Sequence, residues 1–100
     1  MNITIETANG TTTAHLEGRL DTLASAQVTP YFDQLQEYAD GIVVLDCTDL
    51  TYIASSGLRL FLALRKVAIS KNGKVIVKNI SDSIRQVFMM TGFLNIFEIQ

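Results

Sequence analysis

The side chains of this sequence best suited to chemistry are those of two adjacent serines, Ser55 and Ser56. A glycine, Gly57, follows them directly. They come after a β-branched run, Ile42 to Asp46, and directly before a strongly apolar segment. The pattern predicts a hydroxyl at a helix N-terminus, where backbone N–H groups are free and the macrodipole is positive. A phosphate is favoured at such a position. One of the serines is therefore a candidate modification site.

Helix capping by one serine is the simpler interpretation, and a cap contributes about 1 kcal/mol. Capping needs only one hydroxyl, whereas the sequence offers two. We therefore assign Ser55 a local structural role and expect Ser56 to be accessible. A phosphate on Ser56 would add roughly −1.5 to −2 charges. A partner covering that charge would have to desolvate it at high cost, so the expected chemistry is an on/off switch for binding.

The other reactive side chains do not predict a catalytic or metal site. Asp46 and Asp49 lack further ligands, and we interpret them as loop-capping, solvated groups. Cys47 follows a buried-type strand without a local histidine and is interpreted as a small hydrophobe. An enzyme with Ser56 as nucleophile would need a base within hydrogen-bond reach, and His15 is the only histidine. We expect no catalysis, no cofactor and no metal.

Length and composition indicate one small globular domain spanning residues 1–100. Apolar residues make up 48% of the chain and charged residues 18%, which excludes a disordered chain. The net charge of −2 gives no general attraction to nucleic acid or anionic lipid. The N-terminus lacks signal-peptide features, no segment approaches the ~20 apolar residues of a membrane span, and the single cysteine suits a reducing compartment. We expect a cytoplasmic protein.

Local patterns predict the element order ββαβαβαβ. Asn9-Gly10 is a strong hairpin signal between the first two strands. The antiparallel hairpin and the later βαβ crossovers together predict a mixed, mostly parallel sheet with helices mainly on one face. The later elements are a strand Ile42–Asp46, a helix from Ser56 to about Ser70, a strand Val75–Lys78, a capped helix from Ser81 ended by Thr91-Gly92, and a short strand Asn95–Ile99.

Two positions are harder to interpret. Gly18 is expected to break the second strand and open a loop. Pro30 lies inside the helical pattern that follows. It either kinks one helix starting near Ala24 or occupies the first turn of a shorter helix capped by Thr29, and we favour the single kinked helix.

The helix after Ser56 carries apolar residues on two sides. Its core stripe includes Gly57, while Leu58 and Leu62 lie on the opposite face, which is normally polar in a helix that covers a sheet. Either flanking helices cover this second stripe, or it is an exposed surface for protein docking beside Ser56. Both interpretations stay open at this level.

The segments Gly18-x-Leu20-Asp21 and Ser55-Ser56-Gly57-Leu58, with the element order, resemble the STAS domain (sulfate transporter and anti-sigma factor antagonist). The resemblance extends from Ile3 to about Ile99. It implies a small α/β STAS fold, with Ser56 as the phosphorylated residue and Asp21 as the loop aspartate that supports the switch. Where the family often has an aspartate before the two serines, this chain has Ala54.

The resemblance implies an anti-sigma factor antagonist. The unmodified protein would bind an anti-sigma factor with serine-kinase activity and free the sigma factor, and a PP2C-type phosphatase would reset the phosphorylated form. The alternative implied by the same family is a stand-alone STAS subunit of a lipid-transporting ABC system, which docks on the nucleotide-binding subunit. Neither role involves nucleic acid contact or membrane insertion.

Overall fold

The computed structural model describes all 100 residues as one α/β domain. The five strands are β1 (Asn2–Ala8), β2 (Thr11–Leu20), β3 (Ile42–Ile53), β4 (Lys74–Lys78) and β5 (Glu98–Ile99). The three helices are α1 (Thr22–Gln36), α2 (Ser55–Ser70) and α3 (Asp82–Thr91), and a 3₁₀ turn follows at Phe93–Asn95. The predicted order ββαβαβαβ is confirmed.

The strands lie in the sheet in the order β1-β2-β3-β4-β5. β1 pairs with β2 antiparallel, and every later pair is parallel. Because right-handed crossovers proceed in one direction along the sheet, all three helices lie against the same face. The predicted mixed sheet with helices on one face is confirmed.

A single hydrophobic core lies between the sheet and the helices. Its members alternate along β2 and β3 with more exposed residues on the open face of the sheet. Phe61 of α2 is fully buried, and its ring is 5.8 Å from that of Phe32 and 6.2 Å from that of Phe88, measured between centroids. These aromatic contacts attach α1 and α3 to the central helix α2.

The hairpin between β1 and β2 follows the sequence signal. Asn9 has φ +55° and Gly10 has φ +78°, and both belong to the left-handed region that a two-residue type I′ turn requires. The register pairs Ile3 with Leu16 and Ile5 with Ala14, so the apolar side of β1 faces the core.

The expected strand break at Gly18 is wrong. Gly18 has φ +105° and lies within β2, which continues to Leu20 beside β3. The register shifts between the pairs His15–Asp46 and Glu17–Asp49, and again between Gly18 and Arg19. At each of these two irregularities β3 contains one residue more than β2. Because the extra residues lie in β3, β2 keeps its pairing through Gly18 and does not end there.

Helix α1 is continuous through Pro30, as favoured, but it begins at Thr22. Asp21 is its N-cap, and the carboxylate accepts a hydrogen bond from the Ala24 N–H at 2.9 Å. Thr29 does not cap a shorter helix. Its hydroxyl donates instead to the Ser25 carbonyl at 2.8 Å, one turn back within α1.

The C-terminal region differs from the sequence prediction in one element. Ser81 caps α3, and Gly92 ends it with φ +80°, as expected. The last strand is shorter than predicted because residues 93–95 form a 3₁₀ turn, and only Glu98 and Ile99 pair with β4.

Candidate functional site

The N-termini of α1 and α2 lie side by side at one edge of the sheet. β2 and β3 are parallel, and their last paired residues are Leu20 and Ile53. The Ala54 N–H donates to the Leu20 carbonyl at 2.9 Å and ties the two strand ends together. Both helices therefore start from adjacent points, and the positive ends of both dipoles point the same way.

Helix α2 starts without a side-chain cap. Ala54 is the N-cap residue, and no side chain caps the helix. The first intrahelical bond runs from the Leu58 N–H to the Ala54 carbonyl at 3.0 Å. The three preceding N–H groups, those of Ser55, Ser56 and Gly57, therefore have no acceptor within the helix. Neither serine is the cap, which corrects the capping interpretation.

The exposure of the two serines differs from the expectation. Ser55, expected to have the local structural role, is exposed. Ser56, expected to be accessible, is half-buried, and its hydroxyl donates to the Ser25 hydroxyl of α1 at 3.0 Å. The reason is the side-by-side start of the two helices, which turns Ser56 toward α1 and Ser55 toward solvent.

Ser25 continues this contact into the start of α1. It is 4% exposed, and its hydroxyl donates to the Asp21 carbonyl at 2.7 Å. A hydrogen-bonded chain thus runs from Ser56 through Ser25 to the backbone of Asp21. Asp21, predicted from the family motif to support the site, lies beside it as the cap of α1. The sequence reasoning missed Ser25, which is 31 positions from Ser56.

Gly57 is required by close packing between α2 and the strand ends. A Cβ added at this position would lie 2.8 Å from Leu20 Cγ and Cδ2 and 3.0 Å from Ile53 Cγ1. Leu20 is fully buried and Ile53 nearly so, so either side chain could shift only within the close-packed core. The glycine lets α2 approach the sheet closely, and this contact sets the height of Ser56 above the strand ends.

Leu58 is not part of an exposed docking face. It is 7% exposed and belongs to the hydrophobic core, while Leu62 is half-buried. The chain after α3 folds back onto this side of α2, where Arg65 Nε donates to the Ile96 carbonyl at 2.8 Å. The open interpretation that neighbouring elements cover the second stripe is correct at Leu58.

Exposed apolar surface instead lies around the starts of the two helices. Leu23, two residues before Ser25, is 70% exposed. Tyr52 is 40% exposed, and the Arg19 guanidinium carbon lies 4.3 Å from the centre of its ring. Leu23 lines the same surface pocket as Arg19. An exposed leucine near a cation that stacks on an aromatic ring is the kind of surface that protein partners use. The sequence analysis did not single out these residues.

A separate polar network lies on the open face of the sheet. Asp46 accepts from the Thr48 hydroxyl at 2.6 Å, the Thr48 N–H at 3.1 Å and the Asn79 amide at 3.2 Å. Its other oxygen lies 2.9 Å from Nδ1 of His15, and Nε2 of that ring lies 3.6 Å from Glu6. No loop follows Asp46, because β3 continues to Ile53, so the expected loop cap is wrong. The carboxylate instead holds Thr48 within the strand and joins β3 to His15 of β2.

The hydrogen bonds of this network change the acidity of Asp46. Desolvation by burial acts to raise its pKa, but the hydrogen bonds from Thr48, Asn79 and His15 outweigh it and lower the pKa from 3.8 to about 2. No group of three or more His, Cys, Asp or Glu side chains is arranged to hold a metal ion. The hydrogen bonds of Asp46 connect β3 with His15 of β2 and with Asn79, which follows β4.

Comparison with known proteins identifies the family. The model of the STAS domain matches residues 2–100, so the chain belongs to the STAS domain family. The anti-sigma-B factor antagonist of Listeria monocytogenes is 29% identical over 105 residues, which cover 100% of this chain and 90% of the relative. BtrV of Bordetella bronchiseptica, provisionally named an anti-sigma factor antagonist, is 29% identical over 99% of this chain and 85% of its own length.

Solved structures confirm the fold. The anti-sigma factor antagonist SpoIIAA in its unphosphorylated form has a TM-score of 0.75 at 20% identity, over 99% of this chain and 87% of its own. An anti-sigma factor antagonist from Mycobacterium paratuberculosis has a TM-score of 0.80 at 16% identity, over 98% of this chain and 83% of its own. None of the helices has the length and apolar character needed to cross a membrane.

Replacing Gly57 with alanine should destabilise the domain by about 1–3 kcal/mol, because the new methyl group overlaps Leu20 and Ile53. Urea denaturation measures the change. Ser55→Ala is the matched control, because Ser55 lies two residues before Gly57 and is exposed. This variant should change the free energy of unfolding little. Equal stability of the two variants would show that α2 does not pack against the strand ends as described.

Asp46 should contribute stability that depends on pH. Its pKa is about 2 in the folded protein and near 3.8 when unfolded, so the unfolded chain binds more protons between these values. The contribution should be complete above about pH 4 and should disappear as the pH falls toward about 2. Unfolding of the wild type and Asp46→Asn should therefore converge at low pH. Asp49→Asn, which removes an exposed carboxylate without these hydrogen bonds, should keep the wild-type slope.

Proposed function

We propose that this STAS domain is an anti-sigma factor antagonist whose binding to its protein partner is switched by phosphorylation of Ser56. The observation that carries the proposal is the pair of adjacent helix N-termini with Ser56 between them. The matching relatives include proteins named anti-sigma factor antagonists, from Listeria and other bacteria. Those names favour this role over the alternative subunit role in a lipid-transporting ABC system.

The start of α2 is suited to carry a phosphoryl group. Its first N–H groups have no acceptor in the helix, and Ala54 provides no side-chain cap. A phosphoserine at position 56 adds roughly −1.5 to −2 charges and three strong acceptor oxygens at this positive end. The helix can therefore accept the group without unfolding.

The same charge would prevent docking. A partner that covers Ser56 in the unmodified protein meets a neutral hydroxyl, and we propose that the docking surface extends to the exposed Leu23 at the start of α1. After modification it would have to desolvate a dianion, and an unpaired buried charge is very costly. The Asp21 carboxylate at the adjacent helix start adds a like charge, which increases the cost.

The partner in this proposal is an anti-sigma factor with serine-kinase activity, and a PP2C-type phosphatase restores the unmodified form. The change is local in this account, and the fold is the same in both states. One relative in the fold, SpoIIAA, has been solved in both forms. This chain has a TM-score of 0.75 to the unphosphorylated form and 0.75 to the phosphorylated form. Both forms thus share the fold of this chain, which is compatible with a switch made by charge and bulk.

Incubation with ATP and the anti-sigma factor kinase should phosphorylate Ser56, as mapped by mass spectrometry. Ser56→Ala should retain binding to the kinase and lose its dissociation on ATP addition, because the neutral surface can no longer acquire the charge. Ser55→Ala should still be phosphorylated and released. Modification at Ser55 alone, or at neither serine, contradicts the proposal. Genes for a kinase and a sigma factor beside the gene, rather than transporter genes, would agree with it.

Leu23→Gln should weaken binding to the anti-sigma factor about tenfold, because an exposed apolar contact of the proposed interface is lost while the fold is not disturbed. Calorimetric titration measures the affinity, and a thermal melt checks the fold. Ile69→Gln is the matched control, since Ile69 is 55% exposed on α2 but lies near its opposite end. If both variants bind like the wild type, the docking surface lies elsewhere.

A further inference from the structure

Ser25 is unusual because it is a buried hydroxyl in direct contact with the candidate modification site. Only two polar residues of the chain are buried, Thr12 and Ser25. The Ser25 hydroxyl has two partners, and both contacts have a definite direction. It donates to the Asp21 carbonyl at 2.7 Å and accepts from Ser56 at 3.0 Å. A carbonyl oxygen can only accept, so the Ser25 proton is used there and the Ser56 proton points toward Ser25.

Phosphorylation removes the donor of this pair. Transfer from ATP forms a bond between Ser56 Oγ and the γ-phosphorus, breaks the bond from that phosphorus to the β,γ-bridging oxygen, and releases ADP. The hydroxyl proton passes to a base of the kinase. Ser56 can then only accept, and an unchanged Ser25 would present a lone pair to a negatively charged group.

The backbone of Asp21 allows Ser25 to change its role. The Asp21 carbonyl also accepts the Ser25 N–H at 2.8 Å, the first hydrogen bond of α1. That carbonyl therefore keeps a donor if the Ser25 hydroxyl rotates away from it. Rotation replaces a neutral hydrogen bond with one to a phosphoryl oxygen, and hydrogen bonds to ionised groups are about twice as strong.

We propose that Ser25 is a positioning residue for the phosphoryl group of modified Ser56, through a hydrogen bond whose direction reverses on modification. Ser25 accepts from the Ser56 hydroxyl in the unmodified protein and donates to the phosphoryl group afterwards. It thereby connects α1 to the start of α2 in both states. This inference rests on the proposed phosphorylation of Ser56 and adds the residue that holds the product.

The test uses full-length protein with phosphoserine installed at position 56 by genetic-code expansion, so that no kinase is needed. The ³¹P chemical shift is followed through the second ionisation of the phosphate, near pH 6. A donor from Ser25 favours the dianion and lowers that pKa, so Ser25→Ala should raise it by about half a pH unit. Asp21 caps α1 in both proteins, so its charge contributes equally.

Thr12→Val is the matched control. It removes the other buried hydroxyl, which is 3.3 Å from Thr7 at the far end of β2, and should leave the phosphate pKa unchanged. Identical titrations for wild type and Ser25→Ala, or an equal shift in Thr12→Val, would overturn the role of Ser25. Such a result would leave kinase mapping of Ser56 unaffected, whereas failure of that mapping would overturn the proposed switch and not the hydrogen bond measured here.

Discussion

The parallel pairing of β2 with β3 determines where every part of the candidate site lies. It begins at Thr11 and Ile42 and continues through two irregularities to Leu20 and Ile53. Each strand leads directly into a helix, so the two helices must start next to each other. If the pairing ended at Gly18, as a simple strand break would require, the two strand ends would not lead into neighbouring helix starts.

Close packing at the strand ends refines this arrangement. Gly57 allows α2 to approach Leu20 and Ile53 at a distance that no other residue permits without displacing them. The resulting proximity brings two serines from different helices within hydrogen-bond distance. The hydrogen bond between the two serines can therefore form because Gly57 packs tightly against the strand ends.

Local patterns in the sequence were sufficient for most of the fold. The hairpin at Asn9-Gly10, the capped helix after Ser81 and the order of elements depend on neighbouring residues, which sequence periodicity captures. The two register irregularities near Gly18 were not predictable in this way, because the register of a strand depends on its partner strand. The motif Ser55-Ser56-Gly57 located the start of α2 correctly.

The details of the site depended on contacts between distant segments. The hydrogen bond between Ser56 and Ser25 joins residues 31 positions apart, and no helical or strand period relates them. Leu58 appeared free on its own helix, yet it is buried in the assembled core, on a side of α2 that also receives the chain after α3. Amphipathicity describes one element alone, whereas exposure depends on all the elements around it.

Cys47 has a consequence for how the molecule can be handled. It is the only cysteine, it is fully buried in β3, and desolvation together with the Asp46 charge raises the pKa of its thiol to about 12. Thiol reagents act on the thiolate, which is scarce and enclosed here. The wild-type protein should therefore resist oxidation and disulfide-linked dimerisation. A cysteine introduced on the surface would be the single reactive thiol, and a fluorophore could be attached there without first removing the native residue.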